Sequence, residues 1–189
     1  MTGIRSITTV FIVATSLGLV TGSAAFAQAP KATAAAGDAQ PTLLGQYGDW
    51  GAYTASPGGA KVCFALAKPK TTKTEPPLAA GRKRDPSYVF VSTRPTENVR
   101  NEVSVIIGYP FKSSSDATAE IGTAKFAMYT QNDGAWIKNV AEEARMVDAM
   151  RKGGDLTVKG TSGRGTASTD QYSLKGLAQA LDKIEQECK

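Results

Sequence analysis

The stretch Gly153–Cys188, GGDLTVKGTSGRGTASTDQYSLKGLAQALDKIEQEC, decides the fold. Leu156 and Val158 alternate with Thr157 and Lys159, which is the period of a half-buried strand over Asp155–Thr161. Ser162-Gly163-Arg164-Gly165 reverses the chain, because glycine accepts the positive φ that a tight turn needs. A second strand runs to about Tyr172, and Ser173 stands where the N-cap of a helix over Ser173–Glu187 is expected. Leu174, Leu177, Ala178, Leu181, Ile184 and Cys188 recur at helical spacing on one face. That face has to pack on a sheet, and it carries Cys188 into the packing.

Immediately upstream, Asn139 with Glu142 three residues on gives a capping-box-like start to a helix over Asn139–Lys152. Val140, Ala144, Val147 and Met150 supply its repeat, and Gly153 is its stop. Glu142 and Glu143 in the first turn, with Arg151 and Lys152 in the last, suit the helix dipole. Adjacent helical carboxylates point about 100° apart, so the two glutamates read as solvated dipole partners rather than as an acid–base pair.

Further upstream the pattern is of strands. Lys125–Thr130 and Trp136 flank an Asn132-Asp133-Gly134 hairpin signal, which places Trp136 across from Tyr129. Thr118–Ile121, Glu102–Tyr109, Tyr88–Thr93 and Lys61–Ala67 are short apolar or β-branched runs. Gln46–Thr54 is aromatic and interrupted by glycines, with Trp50 and Tyr53 expected to pack. Lys68–Asp85 breaks the pattern. Its three prolines exclude a central strand, and it reads as a long basic loop carrying Lys68, Lys70, Lys73, Arg82, Lys83 and Arg84. The fold class that results is mainly β (α+β): an antiparallel β-sandwich of seven or eight strands with two packed helices.

The N-terminus reads as an export signal over residues 1–27. Arg5 precedes an apolar run, Ile7–Val20, and Ala25-Phe26-Ala27 fits the small-x-small cleavage rule before Gln28. Residues 28–43 form a flexible lead rich in Ala, Pro, Gly and Thr, and residues 44–189 a single sandwich-like domain. Removing Arg5 takes the net charge from +5 to +4. An exported chain meets an oxidising compartment, so its two cysteines, Cys63 and Cys188, read as one intramolecular disulfide that links the terminal helix to an early strand. The alternatives are a buried thiol pair or an intermolecular bridge. After the signal, no run is long and apolar enough to span a bilayer.

There is no histidine, which removes the usual activation of serine and cysteine nucleophiles and the commonest metal ligand. Arg164 stands where a nucleophile elbow over Gly160–Arg164 needs glycine. Gly160 and Gly165 have the spacing of a phosphate loop, but Thr166-Ala167 replaces its Lys-Ser/Thr. The expectation is therefore a non-enzyme without cofactor or metal. The basic loop is the candidate contact for a protein or an acidic surface polymer, with Trp50 a weaker ligand contact. No aromatic is interleaved with these cations for base stacking, so no specific nucleic-acid partner is expected. Two other readings stand beside it. One is an envelope structural or stress-related protein with no soluble ligand. The other is a small-molecule or carbohydrate-binding module that uses Trp50, Tyr53, Tyr129 and Trp136.

Gly48-Asp49-Trp50-Gly51, the strand Cys63-Phe64-Ala65-Leu66, the Met150–Gly154 helix end, Asp155–Gly160 and Tyr172–Leu177 together resemble the invasion-associated locus B family of alphaproteobacteria. The likeness runs from about Gln46 to the end. Where that family commonly carries a further cysteine pair, this chain has Phe126, Ala127 and Met128. The resemblance implies an exported, β-rich protein of the periplasm or cell surface. Some members of the family are linked to host-cell entry, and it implies no catalytic residues.

Overall fold

A computed structural model describes residues 40–189, which belong to one compact unit. The export signal, its cleavage point and most of the lead lie outside the described residues. The lead is shorter than expected, because Thr42 and Leu43 already belong to the first strand.

The strands are β1 (Thr42–Tyr47), β2 (Trp50–Ala55), β3 (Val62–Ala67), β4 (Thr71–Glu75), β5 (Tyr88–Arg94), β6 (Val99–Ile106), β7 (Ala117–Ile121), β8 (Ala124–Gln131), β9 (Gly134–Ile137), β10 (Asp155–Thr161) and β11 (Ala167–Ser173). Helices α1 (Glu143–Lys152) and α2 (Leu177–Glu187) complete the described fold. All the pairings are antiparallel, and the order is β1-β2-β3-β5-β6-β9-β8-β7-β10-β11-β4. The protein is thus mainly antiparallel β with two helices, as the alternation predicts. Among the described residues eleven strands, in one continuous sheet, replace the expected seven or eight. Two of the added strands have identifiable sources. Gly48-Asp49 splits the aromatic run into the hairpin β1–β2, and the supposed basic loop contains β4.

The sheet curls so that strands far apart in its order meet. Trp50 Nε1 donates to the Ser173 carbonyl at 2.9 Å, the Ser87 and Tyr172 hydroxyls lie 2.6 Å apart, and so do those of Tyr109 and Ser168. Its two halves form the expected layers. Between them lie Val89, Val91, Val103, Val105, Leu156, Val158 and Tyr172, all fully buried. The alternation that marks each strand in the sequence puts these residues inward.

Helix α2 lies against β1, β2 and β3 through Leu177, Ala180, Leu181 and Ile184. Burying each of the large aliphatic side chains contributes about 1.5–3 kcal/mol. Cys188 at its end is bonded to Cys63 of β3, with Cα atoms 6.0 Å apart. The expected staple is therefore present, and there is no free cysteine.

Two helix expectations need correction. Ser173 is not a helix N-cap but the last residue of β11, and its hydroxyl accepts from the Lys175 N–H at 3.2 Å. The helix starts only after Gly176, at φ 94°, because the chain turns sharply against the β1–β2 hairpin. A Cβ at 176 would lie 1.8 Å from the Tyr47 carbonyl oxygen, so only glycine fits. In the first helix, Asn139 does cap, accepting from Ala141 N–H at 3.1 Å, but it caps a 3-10 turn over Val140–Glu142. Glu142 does not reach back to complete a box; it pairs with Arg145 at 2.6 Å. The change of helix type shifts the phase, so Met146, Val147 and Met150 are buried while Val140 is 78% exposed.

Candidate functional site

The segment from Lys68 to Ser87 positions the site. The chain leaves β3, third in the sheet order, crosses to the far edge to form β4 beside β11, and returns to β5. It is a strap across the curled sheet rather than a solvated loop. Prolines at 69, 76, 77 and 86 punctuate it, and β4 is an edge strand, the one sheet position that such a proline-rich stretch allows.

The strap divides the six expected cations among four environments. Lys68 lies over the Tyr88 ring, with Nζ 5.7 Å from the centroid. Lys70 pairs with Asp49 at 2.7 Å. That bond, with help from Ser173, holds the Asp49 carboxyl below the usual carboxylate range. Lys73 projects from β4 opposite Thr169. Arg82, Lys83 and Arg84 line a groove of about 600 Å³ between the strap and the β10–β11 turn.

Arg84 is not a partner contact. Its side chain is 9% exposed, and both terminal nitrogens bond the fully buried Asp170 carboxylate. Its Nε donates to the Ile107 carbonyl at 2.6 Å, and the guanidinium lies 5.2 Å from the Tyr109 ring centroid. A buried, forked pair of this kind fixes geometry and leaves no net charge to offer. Burial pushes the Tyr109 and Tyr172 hydroxyls above the ordinary range.

Arg82 and Lys83 are exposed on the groove, and the turn opposite contributes Arg164. These three cations make no ion pair among the described residues. Asp85 is the acidic residue on the lining. Sequence reasoning missed Arg164 because only the curl of the sheet brings it beside a segment some eighty residues earlier. The local signal was an arginine at the apex of a strand–strand turn, which presents it to solvent.

Trp50 is not a ligand contact either. It is fully buried, with its indole nitrogen satisfied by Ser173. Tyr53 stacks on Phe64 at 5.3 Å, and Tyr129 stacks on Trp136 at 5.6 Å, the cross-strand pair expected from the hairpin. These rings present their faces to each other and do not converge on one pocket with Trp50.

Glu143 also departs from expectation. It is a half-buried partner of the sheet rather than a solvated dipole partner, its Oε1 accepting the Val103 N–H at 2.7 Å. Burial raises its carboxyl above the usual range, opposed by that hydrogen bond. No group of three or more His, Cys, Asp or Glu among the described residues is placed to hold a metal ion, and no helix there is long and apolar enough to cross a membrane.

Two of the quoted motifs meet. Asp49 N–H donates to the Lys175 carbonyl at 3.1 Å, so Gly48–Gly51 sits directly on Leu174–Leu177. The family model for invasion associated locus B (IalB) proteins matches residues 50–185, from the first residue of β2 into the last turn of α2. No curated protein and no solved structure matches the chain. With most of its length under one family model, the chain belongs to the invasion associated locus B family.

Proposed function

We propose that this is an exported, non-enzymatic interaction protein of the bacterial envelope, and that it holds an acidic surface polymer at the groove between strap and β10–β11 turn. One observation carries the reading. Arg82, Lys83 and Arg164 line a single groove without a carboxylate partner, while the other cation there, Arg84, is neutralised by Asp170. Unpaired cations on one concave surface raise the local concentration of an anionic partner. Membership of the family and the Cys63–Cys188 bond fit an exported protein.

The test is binding of a polyuronate over a series of salt concentrations, with the wild-type chain and with Arg82→Gln/Lys83→Gln/Arg164→Gln. The wild type binds more weakly as salt rises. The variant loses affinity, and its log–log salt slope becomes shallower by up to about 0.7 for each charge removed, the single-strand nucleic-acid value. An unchanged affinity and slope in the variant would refute the assignment.

A further inference from the structure

The groove has two chemically distinct parts. Its rim is cationic, with Arg82 and Lys83 on the strap and Arg164 across from them. Its other part is apolar and exposed, made of Pro76, Pro77, Leu78 and Pro110, and Asp85 is the acidic residue on the lining. The polar groups at the bottom are already engaged. Asp170 takes up Arg84, and the Tyr109 hydroxyl is bonded to that of Ser168. An anion gains nothing from these engaged groups, and an apolar group gains nothing from the free cations.

Leu78 is the telling residue. It is 42% exposed, one of four large hydrophobic side chains so exposed among the described residues, and it lines the cationic groove. A ligand that was acidic and polar throughout would leave Leu78 hydrated. The volume of about 600 Å³ is roughly twice that of the two clefts nearby, at about 300 and 340 Å³, and it lies within the usual range for small-molecule sites.

We infer that the groove takes an anionic amphiphile, with its acidic group on Arg82, Lys83 and Arg164 and its single apolar chain laid along Pro76, Pro77, Leu78 and Pro110. This rests on the reading that the rim cations are the contact, and it names the unit they grip: an acidic group that bears an acyl-like chain. Charge complementarity holds the head in water at the rim. The chain displaces water from a surface that has no use for it.

The experiment is calorimetric titration of the mature, oxidised chain with monomeric dodecanoate. Butyrate serves as head without chain, and dodecyl maltoside as chain without charge. Dodecanoate binds about tenfold or more tighter than either comparator, since both halves of the groove contribute. Arg82→Gln/Lys83→Gln/Arg164→Gln weakens it about tenfold, the combined worth of three exposed ion pairs. Leu78→Ser weakens it about fivefold and leaves polyuronate binding unchanged. All these positions are exposed, so an unchanged thermal transition confirms that each variant is folded.

Dodecanoate binding no tighter than butyrate would overturn the inference. If polyuronate binding were still lost in the triple variant, the broader reading would survive that result. Binding to phosphatidylglycerol vesicles without uptake of monomeric dodecanoate would also overturn it, because the ligand would then be a membrane surface. A triple variant that bound both dodecanoate and polyuronate as tightly as the wild type would remove the broader reading as well.

Discussion

Reduction of Cys63–Cys188 lowers the stability of this domain by about 5 kcal/mol, because the bond closes a loop over a sequence separation of 125 residues. Loop-closure entropy of the unfolded chain supplies that figure. The native contacts around both sulfurs are already packed, with Cys63 fully buried and Cys188 1% exposed. Replacing both cysteines with alanine adds the loss of two buried sulfurs, and so costs more than reduction alone. A domain of about 150 residues moves by roughly 2–4 °C per kcal/mol, so the transition falls by about 10–20 °C on reduction. The assay is urea and thermal unfolding followed by circular dichroism, with and without reductant, and with mass after alkylation to count thiols. The neighbouring Lys61–Glu187 pair is exposed and does not compensate. A loss below about 1.5 kcal/mol, or alkylation of the native oxidised chain, would refute the reasoning. The first would mean that the reduced, unfolded chain keeps this loop nearly closed.

Two other perturbations bear on buried charge. Asp170→Asn leaves the Arg84 guanidinium without its carboxylate and destabilises by about 3–5 kcal/mol, whereas Arg84→Met/Asp170→Leu recovers most of that loss in chemical denaturation. Glu143 has its folded pKa raised by burial, so its charged form is disfavoured in the native state at neutral pH, and that cost disappears as pH falls through the folded value. Glu143→Gln keeps an acceptor for Val103 and removes the cost. Its stability relative to wild type therefore rises between acid and neutral pH, and a constant difference across that window would contradict the assignment.

What was legible in the sequence was local. The β10–β11 hairpin and the α2 face follow from periods of 2 and 3.6, and the Tyr129–Trp136 stack follows from one turn signal. The disulfide followed from cysteine arithmetic and compartment rather than from geometry. What failed depended on long-range closure. β4 hides in a Thr- and Lys-rich stretch with no apolar alternation, because an edge strand need bury little, and only its pairing with β11 makes it a strand. Arg84 looked like one cation among six, since nothing local announces Asp170 as its partner. Glu143 looked solvated because helical phase was set from Asn139, whereas the helix begins four residues later. Of the candidate contact, Arg82 and Lys83 were legible as an exposed basic pair, while Arg164 needed the curl of the sheet.

The proposed contact surface is the groove rather than the rest of the basic strap. Amide hydrogen exchange of the oxidised chain with and without a saturating oligouronate distinguishes the two. Contact at the groove adds protection at residues 76–85, 108–110 and 162–166, around Arg82, Lys83 and Arg164. Protection confined to residues 46–53 and 66–70, where Lys68 and Lys70 lie beside Asp49, would contradict it.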